Sequence, residues 1–177
     1  MSDAARYPDE LVRVVTTTDG VPVRIRPIRP DDAPRLIAAY ERLSRHTAYQ
    51  RFFTIMNRLP PDWARMLANV DYVSRLALVV EPEAGTDEII AVARYEPTDR
   101  PDIVEVAFVV QDGWQNRGLG KVLLRDLLSA ARARGIRRFR AWVLADNTRM
   151  LDLLNRFTTI TERKLEHGVV EITFAIR

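Results

Sequence analysis

Glu105-Val106-Ala107-Phe108-Val109-Val110-Gln111-Asp112-Gly113-Trp114-Gln115-Asn116-Arg117-Gly118-Leu119-Gly120-Lys121 is an apolar strand running into a turn, with two glycines at the mouth of a long helix. The first N–H groups of a helix have no partner within it and carry partial positive charge. Glycines let a ligand approach that backbone closely, so the stretch can cup a phosphate, with Arg117 and Lys121 adding charge beside it. A turn and helix start that merely need small residues would read equally well. Two phosphate loops are excluded. The dinucleotide fingerprint needs a third glycine at position 123, which is Leu123. Gly113 and Gly118 have the spacing of a triphosphate loop, but Leu119 stands where its lysine must be.

On the amino-terminal side, Leu76–Val80, Glu88–Tyr95 and Ile103–Val110 are short apolar runs separated by turn residues, the pattern of an antiparallel meander. Val21–Ile28 alternates like a strand, and Pro22 and Pro27 predict a sheet edge or ragged ends. Val12, Val14 and Val15 suggest a shorter strand before it, so residues 1–20 are an extension or a first strand. Asp31 or Asp32 is expected to cap a helix through Tyr40, with further helices over Ser44–Phe53 and from Pro60 onward. On the carboxyl side, Gly118–Arg134 has one apolar face and ends at Gly135. Phe139–Leu144 reads as a strand and Thr148–Phe157 as a helix. Thr158–Leu165 and Val169–Ile176 form a hairpin through His167-Gly168. The expected fold is a single α/β (α+β) domain over residues 1–177, with a mixed, mostly antiparallel sheet flanked by helices.

Composition narrows the chemistry. With 177 residues and 47% apolar content the chain can bury a core without staples. The absence of cysteine removes disulfides, thiolate metal sites and a thiol nucleophile. Only His46 and His167 offer imidazole, so no metal is expected. No apolar run exceeds five residues, so neither a membrane span nor a signal core is expected, and the default location is cytoplasmic. The net charge is +3, and all but Lys121 and Lys164 of the 27 cations are arginines. That composition permits an anionic partner without requiring one.

Gln115-x-x-Gly118-x-Gly120, after a strand and opening a helix, resembles the acyl-CoA pyrophosphate loop of the GCN5-related N-acetyltransferase (GNAT) superfamily, and the element order is similar over nearly the whole chain. Ile25-Arg26-Pro27-Ile28-Arg29-Pro30-Asp31-Asp32 looks like that family's first strand and helix cap. Tyr49-Gln50-Arg51-Phe52-Phe53, Val92-Ala93-Arg94-Tyr95 and Trp114–Gly120 resemble the acetyltransferase domain of bacterial Pat-type protein lysine acetyltransferases. Those enzymes often carry a fused domain, for which this length leaves no room.

The resemblance implies acetyl-CoA as acyl donor. Phe108, Val109 and Val110 would offer strand backbone to its pantetheine arm. Gln115, Asn116, Arg117, Gly118, Leu119, Gly120 and Lys121 would hold its pyrophosphate, with Lys121 sheltered beside it. Asn147 matches the family's CoA-contacting Asn, although an ordinary helix cap explains it equally well. Glu105 shares a strand face with Ala107 and Val109, where lost solvation raises a carboxyl pKa toward that of a base. A solvated surface glutamate is the plain alternative; the resemblance assigns it the role of general base. Many superfamily members place a tyrosine acid where this chain has Leu154, and their Gly-Phe after the last helix is Thr158-Thr159 here.

The implied activity is direct acetyl transfer to an amine, with a protein lysine as preferred acceptor and a small amine second. A non-catalytic acyl-CoA-binding module is a further alternative. Arg132, Arg134, Arg137, Arg138 and Arg140 form a basic cluster, but only Phe139 is interleaved as a stacking platform. Nucleic acid is therefore not the expected partner; a solvated helix end near the CoA 3′-phosphate is.

Overall fold

A computed structural model describes residues 5–177. Eight strands form one sheet: β1 (Arg13–Thr16), β2 (Pro22–Pro27), β3 (Leu76–Pro82), β4 (Ala91–Pro97), β5 (Ile103–Val110), β6 (Arg138–Leu144), β7 (Thr158–Glu166) and β8 (Val169–Ile176). The helices are α1 (Ala33–Glu41), α2 (Arg45–Phe52), α3 (Pro61–Ala68), α4 (Leu119–Ala133) and α5 (Thr148–Phe157). The strand order is β1-β2-β3-β4-β5-β6-β8-β7, antiparallel everywhere except between β5 and β6. That mixed, mostly antiparallel sheet between helices is the expected architecture.

Two boundaries differ from the sequence reading. β2 is not an edge, because it pairs with β1 on one side and β3 on the other. Its prolines occupy the first and last strand positions, where a missing N–H costs least. The expected strand from Glu88 begins only at Ala91; Ile89 and Ile90 are buried just outside it, and the Ile90 N–H donates to the Val80 carbonyl.

Strand alternation sends side chains to both faces, and each face has its own apolar layer. Leu123, Leu124, Leu127 and Ala131 of α4, with Leu154 of α5, pack on Ile25, Leu78, Tyr95, Val106, Phe139 and Phe174. Across the sheet, Leu36 and Tyr40 of α1 and Ala64 and Ala68 of α3 cover Ala77, Val79 and Val92. α4 connects the parallel strands β5 and β6, as a crossover between parallel neighbours requires. The β7–β8 turn uses His167 and Gly168 with φ of 52° and 77°, the two left-handed residues of a tight hairpin turn.

Asp32 precedes α1 at the expected position, but its carboxylate serves another purpose. It is 0% exposed and accepts a two-pronged contact from Arg26, with Nη1 and Nη2 each at 2.8 Å. The Arg29 N–H donates to it at 2.7 Å and Arg35 Nη1 at 3.1 Å. Glu81 on β3 takes the other side of Arg26. Burial pushes the Asp32 carboxyl up, but the Arg26 fork, the Arg29 N–H and the Arg35 charge outweigh it and hold the group below its usual range. A depressed folded pKa contributes stability above the ordinary carboxylate value near ~4, lost as pH falls through the folded value. Asp32→Asn takes the two-pronged partner from buried Arg26, leaving Glu81 on its other side, and is expected to cost about 3 kcal/mol. Urea unfolding of the variant checks this, and the deficit should shrink in acid as wild-type Asp32 takes up its proton.

Candidate active site

β5 and β6 pair only over Ile103–Glu105 and Arg138–Arg140. Beyond Glu105 the strands part and a cleft opens. The Gln111 N–H donates to the Ile90 carbonyl at 2.9 Å, in the same register as the β4–β5 ladder. Alternation then commits the Val109 backbone to β4 and turns the N–H and C=O of Phe108 and Val110 toward the cleft. Of the three residues expected to offer backbone to a ligand, Phe108 turns both groups to the cleft, Val110 has only its N–H open because its carbonyl accepts from Gln115, and Val109 is committed to β4.

The cleft continues into a groove of about 330 Å³. Phe108, Val109, Val110, Gln115, Asn116, Gly118, Leu119, Gly120, Lys121 and Asn147 all line it. Gly118, with φ of 84°, is the residue before α4, and no side chain caps that helix. The N–H groups of its first turn are therefore left for a ligand. Asn116 is also left-handed, at φ 62°. The Thr18 N–H donates to the Arg117 carbonyl at 3.0 Å, so the β1–β2 turn buttresses the loop from outside.

Three side chains depart from their expected places. Gln115 holds the loop together: its Nε2 donates to the Val110 carbonyl at 3.0 Å, and Arg149 donates to its Oε1 at 2.6 Å. Arg117 is turned out of the groove, 3.4 Å from Asp19 and with its guanidinium 4.7 Å from the Trp114 ring centre. Lys121 is exposed rather than sheltered, with Nζ 4.9 Å from the Phe157 ring centre. Asn147 is the helix cap of the plain reading, its Oδ1 accepting the Met150 N–H at 3.3 Å, and it also lines the groove.

A second cavity adjoins the groove and shares Gln50, Arg51, Phe108, Asn147 and Met150 with it. Glu105, Ala107, Phe53 and Trp142 complete its wall. Glu105 lies opposite Glu96 on β4 and Arg140 on β6. Loss of solvation raises its pKa; Arg51 and Arg140 pull it down, Glu96 pushes it further up, and the net shift is upward. Glu96 and Arg140 are engaged elsewhere. Glu96 accepts from Arg94 Nε at 3.0 Å and pairs with Arg75 at 3.2 Å, while Arg140 sits between Asp99 and Glu171. The result is a half-buried carboxylate free to take a proton inside a cleft.

Sequence reasoning gave no role to α2, which supplies Thr47, Gln50 and Arg51 to these walls. Asp112 fixes α2 against the loop, accepting from the Ser44 N–H at 3.0 Å and from Thr47 Oγ1 at 3.0 Å. The resemblance over Tyr49–Phe53 was a local signal, but it does not say which strand the helix faces. Leu154 is 0% exposed in the core, so no acid acts from that position. The arginine cluster disperses: Arg134 donates to the Tyr72 carbonyl, and Arg138 pairs with Asp102. Arg132 lies in the last turn of the 15-residue α4, roughly 20 Å from the loop, not beside it.

Among the described residues no helix is long and apolar enough to cross a membrane, and no group of three or more His, Asp or Glu is placed to hold a metal. The model of the acetyltransferase (GNAT) family matches residues 37–158. Acetyltransferase Pat of Mycolicibacterium smegmatis is 33% identical over 82% of this chain, which spans only 43% of that protein. An acetyltransferase of Pseudomonas aeruginosa is 32% identical, with 79% of this chain and 76% of that protein aligned. The crystal structure of the GNAT domain of S. lividans PAT superposes with a TM-score of 0.86 at 36% identity, covering 97% of this chain and all of that one. The chain thus belongs to the GNAT family of acetyltransferases.

Proposed function

We propose that the protein transfers an acetyl group from acetyl-CoA directly to an amine, and that the amine is a lysine side chain of another protein. The observation that carries the reading is the meeting of two spaces at Arg51 and Phe108: a groove suited to the donor and, with Glu105 in its wall, a cavity for the acceptor. The α4 N-terminus would receive the pyrophosphate. The N–H and C=O of Phe108 and the N–H of Val110 would pair with the amides of the pantetheine arm. The thioester then lies near the point where β5 and β6 part. An acceptor arrives as an ammonium ion and gives its first proton to Glu105. The freed nitrogen forms a C–N bond at the thioester carbon, and collapse of the tetrahedral adduct breaks C–S, leaving the electron pair on sulfur. The second nitrogen proton leaves through water.

A protein acceptor is favoured by the Pat relative and by the cavity rim, where Trp142 is 40% exposed beside Phe53. The test compares kcat/KM for lysine peptides with that for small amines. A preference for peptides of ten-fold or more supports the reading. Equal or better turnover of small amines overturns the protein-acceptor part, and CoA binding without turnover of either makes the chain a binding module.

Self-acetylation is expected to be limited. Lys121 and Lys164 are both exposed and are the only lysines, so intact mass after incubation with acetyl-CoA should show at most three additions, counting the amino terminus. More would reveal non-enzymatic chemistry at other groups.

A further inference from the structure

Acetyl transfer builds negative charge in two places, on the carbonyl oxygen of the tetrahedral adduct and on the departing sulfur. A neutralising group must sit near both. The position that carries a tyrosine acid in many relatives is a core leucine here, and Leu154 cannot turn toward the cleft without leaving the core. The charged side chains lining the groove besides Arg51 are Lys121, Arg149 and Asp152. None of these three lines the cavity that holds Glu105, and Arg149 is bound to Gln115.

Arg51 is placed differently. It lies in the last turn of α2, just before Phe53, whose left-handed φ of 57° ends the helix. Its side chain lines both the groove, with Phe108, Val109 and Val110, and the cavity holding Glu105. It makes no ion pair and donates no hydrogen bond among the described residues, whereas Arg94 behind it is tied to Glu96 and to the Leu67 carbonyl. The charged groups facing Arg51 are Glu105 on β5 and Arg94 and Glu96 on β4. Burial and the Arg94 charge lower its pKa to about 10, which leaves it cationic at neutrality. The guanidinium carbon lies 4.6 Å from the Phe52 ring centre, and, half-buried with no polar partner among the described residues, the group keeps its field because little water screens it.

Resting on the acetyl-transfer reading, we infer that Arg51 is the residue that stabilises the anion formed at the thioester, holding the oxyanion and then the CoA thiolate as an ion pair instead of protonating it. The sulfur receives its proton afterwards, from water. Glu105 on one side of the cleft takes the ammonium proton, and Arg51 on the other balances the charge that bond breaking leaves behind.

The test titrates the thiol of bound CoA by its thiolate ultraviolet absorbance in wild type, Arg51→Met and Arg51→Lys, alongside steady-state kinetics. An opposite charge this close lowers an acid's pKa by ~1–3 pH units. Bound CoA should therefore ionise at lower pH in wild type than in Arg51→Met, with Arg51→Lys between them. Turnover in Arg51→Met should fall about 10²-fold, as for loss of one oxyanion donor, with KM for acetyl-CoA changed less than threefold. Identical thiol titration in wild type and Arg51→Met overturns the inference, whatever happens to turnover. Failure of wild type to bind CoA would instead overturn the acetyl-transfer reading itself. Methionine keeps the length and apolar contacts of the arginine stem, and a melting curve on each variant identifies a folding defect; Arg51→Lys then carries the comparison.

Discussion

Glu105→Gln is expected to slow turnover by about 10²–10⁴-fold while CoA still binds. Glutamine keeps the shape and hydrogen bonding of the side chain but cannot accept a proton from an ammonium. Only the carboxylate is active, and its pKa is raised chiefly by lost solvation, so the wild-type rate should climb with pH through that raised value and then level. In Glu105→Gln that limb should disappear. Stability moves the other way. A carboxyl whose folded pKa is raised binds its proton more tightly in the folded state, so ionisation at neutral pH opposes folding. Glu105→Gln should therefore melt at or above the wild-type temperature at pH 7, and lose that margin in acid. A variant that is less stable and also binds CoA poorly would show that β5 had been perturbed, and its rate would not report on chemistry. An unchanged rate with an unchanged pH profile would remove Glu105 from the mechanism.

Gly118→Glu should abolish the rise in melting temperature that CoA produces. Gly118 has φ of +84°, and a Cβ there would lie 3.0 Å from Cγ2 of Thr18. The threonine cannot easily retreat, because its own N–H is bonded to the Arg117 carbonyl. The substitution thus meets backbone strain of about 1–3 kcal/mol, a close contact, and a carboxylate where the pyrophosphate is expected. Like charges forced together cost several kcal/mol, so CoA affinity should drop about 100-fold or more. Gly118→Ala carries the strain and the contact without the charge, and should weaken CoA less. Equal loss in both variants would place the whole effect in loop geometry. A normal CoA shift in a folded Gly118→Glu protein would show that the phosphate does not sit at this helix.

Most elements were legible because their signals are local. The apolar run Leu76–Val80, the one-sided apolar face after Gly118 and the His167-Gly168 turn are each read within a dozen residues. Placing Glu105 on the same face as Ala107 needed only strand period, and the structure keeps that face. What escaped depends on residues far apart in the chain. That β2 is interior follows from pairing with β3 some 50 residues later. That the backbone of Phe108 and the N–H of Val110 face the cleft, against the commitment of Val109, follows from where β5 and β6 stop pairing. Arg51 meets Glu105 only because Asp112 fixes α2 across the sheet. Gln115 and Lys121 line the groove as the resemblance implies, but the bond from Gln115 to the Val110 carbonyl and the place of Lys121 over Phe157 are unreadable in sequence.

The central claim is that an acetyl group passes from acetyl-CoA to an amine at Glu105. The most direct test incubates the protein and its Glu105→Gln variant with acetyl-CoA and a lysine-bearing protein extract, and identifies acetyl-lysine sites by mass spectrometry. Sites modified by wild type and depleted about 100-fold or more in the variant are the predicted result. Sites modified equally by both proteins, or no more than in acetyl-CoA alone, would contradict it.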